Sequence, residues 1–334
     1  KTNTNTRGNT NLYISSNVIS MNTIVNNNNK PTGDPYYYGL MHVLTLNMML
    51  SCNTIDFVCK TFTSGNLPIV VYSCNSIFII NNLYIDSNDL LGIFISNKTS
   101  TDNTSNTVNI NNLILKNLTS SGYLFSVCNY NLININYIYV YNKCSVFFGY
   151  TDIGVIVANI EYIYCGSSDN FLVPINSTST KLNIYKIEGN ISSFVTYSNI
   201  NPYITINIDT LNIECSQLIS AIGTGYLSYL NINININNLY LPSSIGTFFN
   251  MGNGVVSYMH IVYIINNKSN ISMNYLFLIN NCKLYLNIES FDNTNLTVND
   301  SLFNIQTSST LYITCKYFNC SSVPDVFHMD NADY

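Results

Sequence analysis

The sequence predicts an all-β protein, a parallel β-helix solenoid, on three observations. An eight-residue apolar pattern recurs along most of the 334 residues, a short Phe-bearing pulse follows most copies, and no helical stripe separates them. With h for an apolar residue, the unit is h-x-h-x-x-h-x-h, and its alternation is that of a strand with one buried face.

In chain order the units are LSCNTIDF (50–57), FIINNLYI (78–85), VNINNLIL (108–115), ININYIYV (133–140), ANIEYIYC (158–165) and LNIYKIEG (182–189). They continue as INIDTLNI (206–213), ININNLYL (234–241), MHIVYIIN (259–266), LNIESFDN (286–293) and ITCKYFNC (313–320). Measured at the third apolar residue, from Ile55 to Phe318, successive copies lie 24–30 residues apart. The pulses include GIFI (92–95), YLFS (123–126), VFFG (146–149), TFFN (247–250), SLFN (301–304) and DVFH (325–328). Turn-rich pieces such as GSSDN (166–170) separate the two elements. A propeller blade needs a longer repeat, and the leucine-rich signature does not recur. The expectation is about eleven rungs of 24–30 residues, right-handed by the general rule for parallel crossovers.

Residues 1–38 read as a low-complexity N-terminal segment, a cap or a linker strand lent to a neighbour, ahead of a β-helix domain over 39–334. The start at Lys1, with no Met and no signal-like segment, reads as that of a processed product. Neither end shows an amphipathic capping helix, and uncapped rungs invite another chain to dock.

Composition narrows the partners. Only 9% of residues are charged, the net charge is −5, and Arg7 is the single arginine. That leaves no electrostatic footprint for nucleic acid and none for an anionic membrane surface. No apolar run is long enough for a spanning helix. Asn, by contrast, occurs 58 times. The position between the first two apolar residues is Asn109, Asn134, Asn159, Asn183, Asn207, Asn235, His260 and Asn287 in consecutive units. In-register rungs would stack these side chains about 4.8 Å apart, where amides can bond to one another and like charges would repel. The position between the last two apolar residues is Tyr84, Tyr139, Tyr164 and Tyr240 in four units, a candidate binding face.

Chemistry finds little footing. His42, His260 and His328 are far apart, and the 17 acids form no adjacent pair. Asp86 with Asp89, Asp292 with Asp300, and Glu161 near Glu188 are the nearest groupings. A hydrolase needs two carboxylates facing each other across a cleft. No catalytic, metal or cofactor residue is therefore expected. The ten cysteines fall mostly in unmatched registers, so buried free thiols are the expectation, with one or two disulfides as the alternative. Candidate N-glycosylation sequons stand at Asn97, Asn103, Asn117, Asn176, Asn190, Asn267, Asn270, Asn295, Asn299 and Asn319. With 58 Asn and 64 Ser plus Thr, about that many arise by chance.

The units around 108–126, 133–149 and 158–173 resemble the pectate-lyase-like superfamily of right-handed β-helices, in architecture only. That resemblance covers roughly residues 50–328. It implies a rod, and it admits polysaccharide-cleaving enzymes, adhesins and viral fibres. The low charge and open ends favour a structural subunit of an extracellular, cell-surface or virion-surface filament, a homopolymer joined end to end. The alternatives are a surface adhesin or glycan-binding β-helix and, third, a polysaccharide-degrading enzyme.

Overall fold

The computed structural model describes residues 8–25, 41–61, 69–72, 75–87, 94–97, 105–116, 123–126, 129–149, 154–173, 179–197, 203–215, 217–221, 230–243, 247–252, 255–266, 271–292, 296–306, 308–319 and 323–329. The strands are β1 (Gly8–Val25), β2 (Met41–Thr61), β3 (Ile69–Tyr72), β4 (Asn75–Ser87), β5 (Phe94–Asn97), β6 (Ser105–Lys116) and β7 (Tyr123–Ser126). Next come β8 (Asn129–Gly149), β9 (Gly154–Val173), β10 (Ser179–Tyr197), β11 (Tyr203–Glu214), β12 (Gln217–Ala221), β13 (Leu230–Tyr240) and β14 (Thr247–Gly252). The last six are β15 (Val255–Ile265), β16 (Ile271–Asn280), β17 (Lys283–Asp292), β18 (Leu296–Gln306), β19 (Thr310–Asn319) and β20 (Asp325–Met329).

These strands build a parallel β-solenoid of stacked coils. One stack runs β1-β2-β4-β6-β8-β9-β10-β11-β13-β15-β17-β19, each strand parallel to the next. The Phe-bearing pulses form a second parallel stack that ends β12-β14-β16-β18-β20. In β8, β9 and β10 the two elements are continuous, so a single strand serves both stacks. The rung count differs from the expected eleven, because β1 adds a rung to the motif stack. Its Leu12, Ile14 and Ile19 pair with Met48, Leu50 and Ile55 of β2. Residues 8–25 thus lie within the solenoid, whereas 26–38 fall outside the described residues. Among the described residues, no helix is long and apolar enough to cross a membrane.

The motif translates directly into burial. In β13 the apolar Ile232, Ile234, Ile236 and Leu239 are all at most 1% exposed, while Asn233 and Asn237 face out. The double polar step inside the unit breaks the alternation, and two successive side chains escape the core there. That step is where the rung bends. Each fully buried aliphatic or aromatic side chain contributes roughly 1.5–3 kcal/mol, and the interior columns repeat this gain at every rung. In the second stack, Phe249, Phe277 and Phe303 lie face to face at 4.3 and 4.9 Å between centroids. Phe327 continues the column at 5.2 Å.

One corner depends on glycine. Gly189 has φ of +123°, and a Cβ there would meet the Cys165 carbonyl oxygen at 1.9 Å. The register between β10 and β9 shifts just beyond it, from the Gly189 pair to Ile191 opposite Ser168. The missing side chain lets adjacent rungs turn this corner in close contact.

Candidate functional site

The stacking register decides which surface residues meet. It aligns Asn109, Asn134, Asn159, Asn183, Asn207, Asn235, His260 and Asn287 in one column. Five hydrogen bonds of 2.8 Å join the first six: each Nδ2 donates to the Oδ1 of the preceding rung, from Asn134 on Asn109 to Asn235 on Asn207. The run stops at His260. Its Nε2 lies 3.5 Å from Glu289 Oε1, an ion-pair distance rather than a hydrogen bond, and Glu289 is also 3.2 Å from Lys316 Nζ. The Lys316 ammonium, helped by His260 against a small desolvation effect, holds the Glu289 carboxyl below its ordinary range.

A second amide ladder occupies the first residue of the rung bend. Asn53 donates to Asn17, Asn81 to Asn53, Asn111 to Asn81 and Asn136 to Asn111, at 3.4, 3.0, 3.0 and 2.8 Å. In later rungs the bend position carries Glu161, Tyr185, Asp209 and Asn237. Asn237 Nδ2 donates to Asp209 Oδ1 at 2.9 Å.

Between these two outward columns runs a groove of about 760 Å³, floored by Ile135, Ile160, Ile184 and Ile208. One wall is the ladder from Asn134 to Asn235; the other is Asn136, Glu161, Tyr185, Asp209 and Asn237. It crosses five rungs, about 20 Å at the usual strand spacing. An amide carries two N–H groups and two lone pairs. In the ladder interior it uses one of each along the column and leaves one of each for a ligand. Tyr185, 61% exposed, stands between the two carboxylates. Glu161 and Asp209 are two rungs apart, roughly 10 Å, so they share neither a proton nor a single cation. Among the described residues, no group of three or more His, Cys, Asp and Glu could hold a metal ion.

The four tyrosines of the candidate face occupy one column but do not form one surface. Tyr139 and Tyr164 are neighbours, Ile114 separates Tyr84 from Tyr139, and Glu188 and Asn212 separate Tyr164 from Tyr240. The motif gives a position in the rung, and the intervening rungs carry other residues at that position. What forms instead is a local patch in which Tyr139 packs against Tyr137, Tyr141 and Tyr162, at 5.8–6.4 Å between centroids. Tyr162 donates to Glu188 at 2.8 Å. Burial first, then the Glu188 carboxylate, push the Tyr162 phenol up to about 12. Glu188 thus faces Tyr162 and Lys186, not Glu161. Tyr84 lines a separate cavity of about 320 Å³ with Asp56, Asp86 and Lys116.

A more regular aromatic column lies elsewhere. Tyr258, Tyr285 and Tyr312 stack at 4.7 and 4.8 Å with ring planes within 7°. Lys283 Nζ sits 5.0 and 5.2 Å from the Tyr285 and Tyr312 centroids. Each of these tyrosines immediately precedes a repeat unit, and that shared offset is the signal that identifies the column.

The remaining sequence candidates are dispersed. Cys52, Cys165, Cys215 and Cys282 are buried thiols outside any disulfide, and Cys315 is a half-buried one. Burial pushes the Cys165 and Cys282 thiols up to about 12, which makes them inert at neutral pH. Among the sequons, the Asn190 amide donates to the Gly166 carbonyl, Asn299 to Asn274, and Asn319 to Asp292. Asn97 lies in β5, while Asn103, Asn117, Asn176, Asn267, Asn270 and Asn295 fall outside the described residues, as does Asp89. His42 pairs with Val70 and His328 with Asn304 in the second stack, whereas His260 lies in the motif stack. Comparison with protein-family models, with curated proteins and with solved structures finds no match to this chain.

Proposed function

We propose that this chain is the structural subunit of an extracellular or virion-associated filament, built by stacking solenoids end to end. The observation that carries this reading is the state of the two end rungs. Leu12, Ile14 and Ile19 of β1 are half-buried, whereas Met48, Leu50 and Ile55 beneath them are at most 2% exposed. At the other end Leu311 and Ile313 are half-buried and Phe318 is 38% exposed, although Leu284, Leu286 and Phe291 before them are buried. Among the described residues, both edge strands therefore offer core positions as well as backbone groups to a neighbour. The charge-poor lateral surface suits close packing of rods. Electron microscopy of the protein tests this: filaments with an axial repeat of about 55–60 Å, one solenoid at the usual strand spacing, are expected. A population of single short rods at every concentration would overturn it.

The groove favours a second reading, a surface module that binds hydroxyl-rich glycans. Its amides offer neutral donors and acceptors once per rung, and Tyr185 offers a ring face. Glycan-array binding by the monomer that is lost in Tyr185→Ala would support this alternative.

A further inference from the structure

We infer that the joint between two copies has a specific register: β1 of one copy continues the motif stack directly on β19 of the other. This rests on the head-to-tail reading proposed above and goes beyond it by naming the residues that meet.

Three observations converge. The first is that the two end strands carry the same columns. Following the partners rung by rung, Leu12 occupies the column of Leu311, Tyr13 that of Tyr312, Ile14 that of Ile313, and Ile19 that of Phe318. One more rung step therefore sets apolar on half-buried apolar. It also extends the Tyr258–Tyr285–Tyr312 stack onto Tyr13, which is 71% exposed.

The second observation is polarity. In the amide ladders each rung donates to the one before it, as Asn47 does to Asn11 and Asn319 to Asp292. Asn11 is thus left with amide N–H groups to donate out of the β1 edge, where Thr310 Oγ1 would stand. Asn319 keeps Oδ1 to accept from Ser20 of the incoming strand.

The third is that these edges are not defended. Edge strands of monomeric proteins are usually blunted by charges or Pro. The 18 residues of β1 contain neither, and β19 carries only Lys316, already paired with Glu289.

Slipped alternatives are worse. A shift of one residue turns every core side chain outward. A shift of two restores the alternation but misaligns the double outward step, Asn17–Val18 over Lys316–Tyr317, so the bends of the two rungs no longer coincide.

Disulfide trapping tests the register. Tyr13→Cys mixed with Tyr312→Cys places thiols on adjacent rungs, within the Cα separation that a disulfide spans. Val18→Cys with Tyr317→Cys does the same on the far side of the bend. Under mild oxidation both mixtures should give a covalent dimer, its linked peptides identified by mass spectrometry. The yield should exceed by about tenfold that of Tyr13→Cys with Tyr258→Cys, whose thiols would lie three rungs apart, beyond the reach of a disulfide. Filaments that form without either cross-link, or that cross-link Ser15→Cys to Tyr312→Cys equally well, would overturn this register and leave the head-to-tail reading standing. Absence of both filaments and cross-links would overturn both.

Discussion

Replacing Asn183 by Ala tests whether the amide ladder stabilises the rod. Asn183 donates to Asn159 Oδ1 and accepts from Asn207 Nδ2, each at 2.8 Å. A net hydrogen bond is worth about 0.5–1.5 kcal/mol. The site is half-exposed and water can replace part of each bond, so the lower half of that range applies. Two bonds then total about 1–2 kcal/mol. Solenoids of this length need not unfold in one step, so a local readout is required. Amide hydrogen exchange in β9, β10 and β11 should accelerate about 5- to 30-fold, the factor that corresponds to 1–2 kcal/mol. Asn287 supplies the internal control. It lies in the same column beyond His260 and makes no ladder bond among the described residues, so Asn287→Ala should leave exchange nearly unchanged. Asn183→Asp should exceed Asn183→Ala, because it sets a carboxylate oxygen against Asn159 Oδ1 where an N–H had been. Equal effects at Asn183 and Asn287, or an Asp variant milder than the Ala variant, would refute the reasoning.

Three further outcomes follow from the packing and charge of named residues. Gly189→Ala should cost about 1–3 kcal/mol, as expected for a side chain forced into positive φ, and should lower the urea midpoint; a midpoint unchanged from the parent would show that the corner is compliant. Phe277→Ala removes the middle ring of the Phe249–Phe277–Phe303 column at a fully buried site, and should cost about 3–5 kcal/mol; Phe277→Leu, which refills most of the volume, should be clearly milder in the same melt. Glu188 is an acid-sensitive point. Burial raises its carboxyl, but the bonds from Lys186, Tyr162 and Asn212 outweigh burial and hold it below its ordinary value of 4.5. A carboxylate lowered in the folded state stabilises above its unfolded pKa, and that contribution is lost as the pH falls through the folded value. Melting temperature should therefore fall more steeply from about pH 5 downward in the parent than in Glu188→Gln, and parallel curves would remove Glu188 from the account.

The strand period made the inside and outside of each rung legible, and the repeat length set the spacing of the rungs along the chain. Together they place Asn109 to Asn235 in one column, because each stands between the same two buried anchors. Legibility failed where the anchors were weak or the neighbour was unknown. The bend ladder of Asn17, Asn53, Asn81, Asn111 and Asn136 sits in the double polar step, where composition alone gives no reason to prefer one residue over the next. The four aligned tyrosines suggested a face, but a face requires neighbours, and Ile114, Glu188 and Asn212 stand between most of them. The groove depends on stacking: the two columns become walls only once successive rungs stand in register.

The most instructive miss is β1. Its stretch ISSNVISM, 14–21, fits the repeat unit at every apolar position except Ser16, the column-mate of the buried Cys52. An interior rung is covered on both sides, so a hydroxyl at that position would lose water without gaining a partner. Among the described residues β1 has a partner strand on one side alone, and Ser16 remains half-exposed with its Oγ donating to the Val18 carbonyl at 3.0 Å. The weakened pattern is therefore what an end rung permits. It also bears on the joint: stacking on β19 would bring Ser16 against Cys315, itself half-buried and donating to the Tyr317 carbonyl at 3.1 Å. Both groups point into the column while bonded to their own bend, so the joint can close over them without stranding either. A fully apolar pair there would adhere more strongly and less reversibly. The polar pair leaves the adhesion to Leu12, Ile14 and Ile19, and the choice of register to the bend.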